Sequence, residues 1–120
     1  MNKIELDITP RPALRTTQKS KYLPKSIEYE QYKTALRWLC KKNGYELEQV
    51  LKIIFVLPVA DGITGKKRAE RIGQFHTQKP DIDNLIKGFM DCFGKDDSFV
   101  HTLHARKIWG EKGKIVLVFD

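Results

Sequence analysis

No stretch of this sequence stays apolar for long. The longest apolar run, residues 53–60, falls far short of the roughly 20 residues that cross a bilayer, so a membrane-spanning helix is excluded and no membrane partner is expected. Cysteine is scarce as well. Cys40 and Cys92 both fall among apolar residues with helical spacing, where a buried free thiol is the ordinary outcome; this argues against a disulfide scaffold and for a reducing compartment. The start Met1-Asn2-Lys3-Ile4-Glu5-Leu6-Asp7 lacks the basic start, apolar core and small-residue cleavage site of a secretory signal, so a cytoplasmic location is expected. Acid is in deficit, with 15 Asp plus Glu against 22 Lys plus Arg and a net charge of +7. That excess favours polyanionic partners, nucleic acid ahead of acidic surfaces. There is no internal repeat and no low-complexity tract, and 120 residues suit a single domain over residues 1–120 with one core.

What is present is a regular alternation of elements. Ile4, Leu6 and Ile8 alternate with Glu5 and Asp7, the period of a half-buried strand, and Pro10 and Pro12 end it. Residues 11–25 carry Arg11, Arg15, Lys19, Lys21 and Lys25 without apolar periodicity and read as an extended basic loop. Ser26 is a candidate cap for a helix to about Lys42, with Tyr29, Tyr32, Leu36, Leu39 and Cys40 on one stripe and Asn43-Gly44 as its stop. Residues 51–59 read as a central strand with both faces covered. Residues 62–79 form a second basic segment with Lys66, Lys67, Arg68, Arg71 and Lys79 against the single acid Glu70. Its glycines are too closely spaced for a phosphate loop, and no nucleotide cofactor is expected. Pro80 is expected to start a helix through about Phe93, with Leu85, Ile86, Phe89, Met90 and Phe93 as its apolar stripe and Gly94 as its end. Residues 98–109 and 114–119 look like two strands joined in a hairpin by Gly110-Glu111-Lys112-Gly113. The expected class is α/β, a mixed β-sheet covered by two α-helices.

The most informative string is Lys79-Pro80-Asp81-Ile82-Asp83-Asn84-Leu85-Ile86-Lys87, followed by Asp96-Asp97-Ser98-Phe99-Val100. Asp81 and Asp83 flank one residue at a helix start, and two carboxylates facing one side repel unless a cation or proton lies between them. Mg²⁺ takes oxygen ligands and keeps several waters, so such a group plus phosphate oxygens makes a full site. Asp is also a preferred N-cap, stabilising without any metal; capping accounts for one aspartate, less readily for two plus a second acidic pair. Lys87 stands one turn after Asp83, within reach of its carboxylate or of a phosphate, and Asp91 continues that face as an outer acid or a solvated charge. His76, beside a basic loop, reads as a surface or hydrogen-bonded group, and Trp38 and Trp109 as partly buried packing groups. His101 and His104 lie three apart in an expected strand, on opposite faces, so no zinc site is indicated.

KPDIDNLIKGFMD followed by DDSFV closely resembles the RusA family of Holliday junction resolvases. The likeness extends more loosely to PRPALR, to GKKR with Gly73 and His76, and to Lys107 and Trp109. It implies a homodimeric nuclease that binds four-way branched DNA and cuts two opposing strands symmetrically, with Mg²⁺, or Mn²⁺ in its place. By the resemblance Asp81, Asp83 and Asp97 are the metal-binding catalytic aspartates, Lys87 the catalytic lysine, and Asp91 and Asp96 subsidiary acids. Arg11, Arg15, Lys66, Lys67, Arg68, Arg71 and Lys107 are the candidate DNA-binding groups, which position the backbone without reading bases. The GITGKKRAERIG stretch looks more like phage members, so no cleavage sequence carries over. Two other readings stand beside this one: a non-catalytic basic DNA-binding protein whose acids only cap helices, and a metal-dependent nuclease acting on forks, flaps or RNA.

Overall fold

In the computed structural model of the chain, which describes residues 2–14 and 23–119, each apolar pattern becomes an element. These are β1 Asn2–Leu6, α1 Pro24–Lys42, β2 Val50–Pro58, α2 Gly65–Arg71, α3 Ile82–Met90, β3 Thr102–Gly110 and β4 Lys114–Phe119, with 3₁₀ turns at Asp91–Phe93 and Asp97–Phe99. The strands form one mixed sheet in the order β1-β4-β2-β3. β4 runs antiparallel to both β1 and β2, while β2 and β3 are parallel, with Leu51 opposite Leu103 and Phe55 opposite Lys107. β2 is therefore central, as its apolar composition requires.

Only one face of β2 is covered by helices, contrary to expectation. Leu51, Ile53, Phe55 and Leu57 join Leu6, Ile115 and Leu117 in a core closed by Tyr29, Tyr32, Leu36 and Cys40 of α1 and by Leu85, Phe89 and Met90 of α3. Alternation sends Lys52, Ile54 and Val56 to the other face, outside that core. Two helices cover the sheet as expected. The third, α2, falls inside the basic segment and buries no residue. Phe55 and Phe89 are fully buried, where truncation to Ala costs about 3–5 kcal/mol. Cys40 and Cys92 are buried and free, and burial pushes both thiols up to about 12. No described helix is long and apolar enough to cross a membrane.

The glycine-rich link after β3 does not make a hairpin. β3 and β4 sit on opposite sides of β2, and the chain passes over the end of that strand, where Val59 N–H donates to the Gly110 carbonyl at 3.0 Å. A Cβ on Gly110 would collide with Val56 Cγ1, so this glycine permits a close crossing rather than a tight turn. Two boundaries also move. α1 starts at Pro24 with Leu23 as N-cap, leaving Ser26 buried in its first turn, because proline's fixed φ suits the first helical position. β3 starts at Thr102, because Asp96 caps the turn Asp97–Phe99 instead of letting the strand begin at Ser98. Trp38 is 60% exposed on α1 rather than packed.

Candidate active site

α3 begins at Ile82, two residues later than Pro80 had suggested, after a cis Lys79–Pro80 bond. Asp81 is its N-cap, extended at φ −68° and ψ 143°. Its backbone carbonyl accepts the first helical bond from Leu85 N–H at 3.1 Å, but its carboxylate makes no capping hydrogen bond. Asp83 lies in the first turn, and both acids are exposed. Capping therefore does not account for the Asp81 side chain, and the positive end of the helix dipole is left to stabilise both charges. Lys87 is exposed on the next turn and forms no ion pair with Asp83 or Asp91 among the described residues. Asp97 opens its 3₁₀ turn, and its side chain lies outside what the structure describes. Among the described residues no three or more His, Cys, Asp or Glu side chains gather as a metal-binding group.

The turn that presents Asp81 is held from β3. Lys107 Nζ donates to the carbonyls of Gln78 and Pro80, each at 2.7 Å, while the Lys107 carbonyl accepts from His76 N–H at 3.0 Å. One residue thus anchors the 76–80 segment with both main chain and side chain. Of the two expectations for His76, a surface or a hydrogen-bonded group, the first does not hold: it is 5% exposed, and its ring lies 4.1 Å from that of Trp109. Burial first, and the Lys107 charge second, hold its pKa below the ordinary 6.5. The Arg71 guanidinium lies over the other partner of that pair, 5.2 Å from the Trp109 ring.

A shallow depression of about 540 Å³ opens beside Asp81, lined by Pro10, Pro12, Leu57, Lys79, Pro80 and Asn84. Its far wall is the N-terminal basic segment, strapped onto α3 by Ala13 N–H donating to the Asn84 carbonyl at 2.9 Å. Gly88 makes the strap possible: a Cβ there would stand 2.6 Å from the Arg11 carbonyl. Glycine inside a helix costs about 1 kcal/mol relative to alanine, which is the sequence signal for this close approach. Arg11 itself pairs with Glu28 at 3.2 Å.

The remaining candidates divide into spent and unspent charges. Arg68 is spent: it pairs with Glu111 at 3.0 Å and donates to the carbonyls of Val59, Ala60 and Ile63. Lys66 reaches Glu70 only at 3.9 Å and is almost fully exposed, and Lys67 is exposed without a partner among the described residues. Arg15 lies outside the described residues. Asp91 accepts from Tyr29 O–H at 2.6 Å, tying α1 to the end of α3, and burial together with this bond raises the tyrosine's pKa. Asp96 accepts from both N–H and Oγ of Ser98 at 3.0 Å, which lowers its pKa.

An α/β domain that leaves the Asp81 carboxylate without a capping bond at a helix start, with the Lys107 ammonium holding the turn before it, keeps an acid unspent beside a basic side chain. Residues 5–118 match the profile of the family described as Endodeoxyribonuclease RusA, and the chain belongs to that family. It is also similar to a crossover junction endodeoxyribonuclease rusA of Lactococcus phage r1t, 39% identical over 54 residues. That alignment covers 41% of this chain and 41% of the relative.

Proposed function

We propose that this chain is a Mg²⁺-dependent endodeoxyribonuclease that resolves Holliday junctions by paired, symmetric nicks as a homodimer. The observation that carries the reading is the Asp81 carboxylate, which occupies an N-cap position without making a capping bond, beside Asp83, which has no partner among the described residues. Oxygen donors of this kind suit a hard divalent cation, and Asp81, Asp83 and Asp97 would hold it. When bound, such a cation polarises a phosphodiester and acidifies a water molecule. The chain's own part is positional and electrostatic. Lys107 fixes the turn that carries Asp81, and Lys87, exposed and without an ion pair among the described residues, would neutralise charge developing on the phosphate. Arg11, Arg15, Lys66, Lys67 and Arg71 are the groups that would hold the DNA backbone.

A supercoiled plasmid with an extruded cruciform tests the whole reading. Two nicks made within one complex give linear product in Mg²⁺ and nothing in chelator. Relaxed circles alone, or equal activity on forks, flaps and RNA, would replace the resolvase by a less selective nuclease. DNA binding with no cleavage in either metal would leave the non-catalytic reading.

A further inference from the structure

Lys52 is the only charged residue in the run 51–59, and the fold places it mid-sheet on the face that the helices do not cover. Strand register sets Lys3, Val118, Lys52 and His104 side by side in one row across all four strands, and Glu5, Val116, Ile54 and Arg106 in the next. Arg106 follows His104 by two residues and shares its face. Lys52, Ile54, His104, Arg106 and Val118 line a shallow cleft of about 520 Å³. The one acid in these rows, Glu5, stands at the far strand and is already approached by Lys114 at 3.6 Å and Lys3 at 3.9 Å. Lys52, His104 and Arg106 form no ion pair with the described residues.

A solvated charged face does not account for this arrangement. Basic residues on an edge strand such as β3 guard against unwanted pairing, but Lys52 is half-buried on the central strand. Lys52 and Arg106 stand diagonally across neighbouring strands, Arg106 two residues beyond the partner of Lys52, within reach of mutual repulsion, and half-burial of an ammonium adds a desolvation cost. Both costs are offset when an anion lies between the cations. The row from Lys3 to His104 spans three strand spacings, about 14 Å, over which one strand of B-DNA presents roughly four phosphates. Ile54 and Val118 give the floor no hydrogen-bonding code, so the surface suits a backbone rather than base edges.

We propose that the Lys52, His104 and Arg106 cleft binds the phosphodiester backbone of a second DNA segment, separate from the one seated at Asp81. The proposal rests on the nucleic-acid reading above. Lys107 lies on the helix side of β3 and holds the Asp81 turn, whereas His104 and Arg106 face the opposite way. A duplex seated at Asp81 therefore leaves this cleft free for another arm of a branched substrate.

The test is a Lys52→Gln, Arg106→Gln double variant, with anisotropy titrations over a salt series on a four-way junction and on a short linear duplex. Expected are a fall of about two units in the log-log salt slope on the junction and a roughly tenfold or greater loss of junction affinity. The cleavage rate at saturating protein and the duplex slope stay at wild-type values. An unchanged junction slope overturns the proposal and leaves the nuclease reading intact; a wild type that binds no DNA overturns both. Binding of the wild type to phosphatidylserine vesicles, lost in the variant while junction binding persists, overturns it in favour of a lipid surface. Should the double variant fail to fold, Arg106→Gln alone, at an exposed position, carries the same test with a slope change of about one.

Discussion

Asp81 and Asp96 are both N-caps of helical turns and do different things with their side chains. Asp96 spends its carboxylate on Ser98, accepting from the amide and the hydroxyl at 3.0 Å each. Asp81 stands in the same backbone conformation before α3 and spends nothing. Both are good N-cap residues, so residue preference cannot separate them. What separates them is the following sequence: Asp96 has Ser98 two residues on, ready to close a compact turn, while Asp81 has Asp83 there, which repels it. An acid that the fold does not use is available for chemistry, and an acid that it does use is not.

The sharpest break of that contrast is substitution of the two unspent acids. Asp81→Asn and Asp83→Asn are each expected to lower the single-turnover cleavage rate by at least about 10²-fold, the upper range for disturbing even the outer support of a metal centre, with junction affinity and Tm retained. A Tm loss matching the activity loss would make Asp81 another Asp96. Next in size is Lys107, which holds the unspent pair in place. Lys107→Met removes two charge-assisted hydrogen bonds, each worth about 1.5–3 kcal/mol, and is expected to lower kcat with little change in KM, with partial recovery in Lys107→Arg. If KM rises while kcat holds, the ammonium is a DNA contact instead.

The basic segment repeats the contrast in cations. Arg68→Ala should lower Tm, because it abandons Glu111 and three carbonyls, and should leave the salt dependence of binding nearly unchanged. Lys67→Ala should do the reverse, flattening the log-log slope by about one unit; denaturation curves and salt titrations on both variants decide it. The smallest effect belongs to Asp96. Its bonds to Ser98 hold the carboxyl below its ordinary 3.8, so their contribution is complete above that value and is lost as pH falls through the lower folded-state value. The Tm advantage of wild type over Asp96→Ala should therefore be constant near neutrality and shrink on acidification below about pH 4; an advantage that persists there would mean the bonds do not need the charge.

The sequence carried these distinctions unevenly. Periodicity located β1, β2, α1 and α3 and their core stripes, since burial of one face is a local pattern repeated many times. It also picked out Asp81 and Asp83, because two acids at one helix start conflict with a basic chain. It could not tell that Arg68 is consumed by carbonyls of residues 59–63 and by Glu111, or that Lys107 reaches Gln78 and Pro80, since those partners are distant in the chain and identical in composition to free ones. The hairpin expected at 110–113 failed for a related reason. Two glycines signal backbone freedom, and whether it serves a tight turn or a crossing depends on β2, more than fifty residues away. Apolar content alone suggests a closed second face for β2, and Lys52 is the residue that contradicts it.

β4 enters the sheet last in sequence and yet occupies the gap between β1 and β2. No two neighbouring strands of the sheet are joined by a short connection, so every ladder must close a long loop before it yields hydrogen bonds, and folding is expected to be slow for a domain of this size. During synthesis β1 has no partner, and β2 only β3, until residues 114–119 leave the ribosome. The Asp81 turn, hung from β3, is consequently rigid only once nearly the whole described chain is in place. A nascent or truncated product lacking β4 should be incompetent for junction cleavage even though every acidic residue of the candidate centre is present.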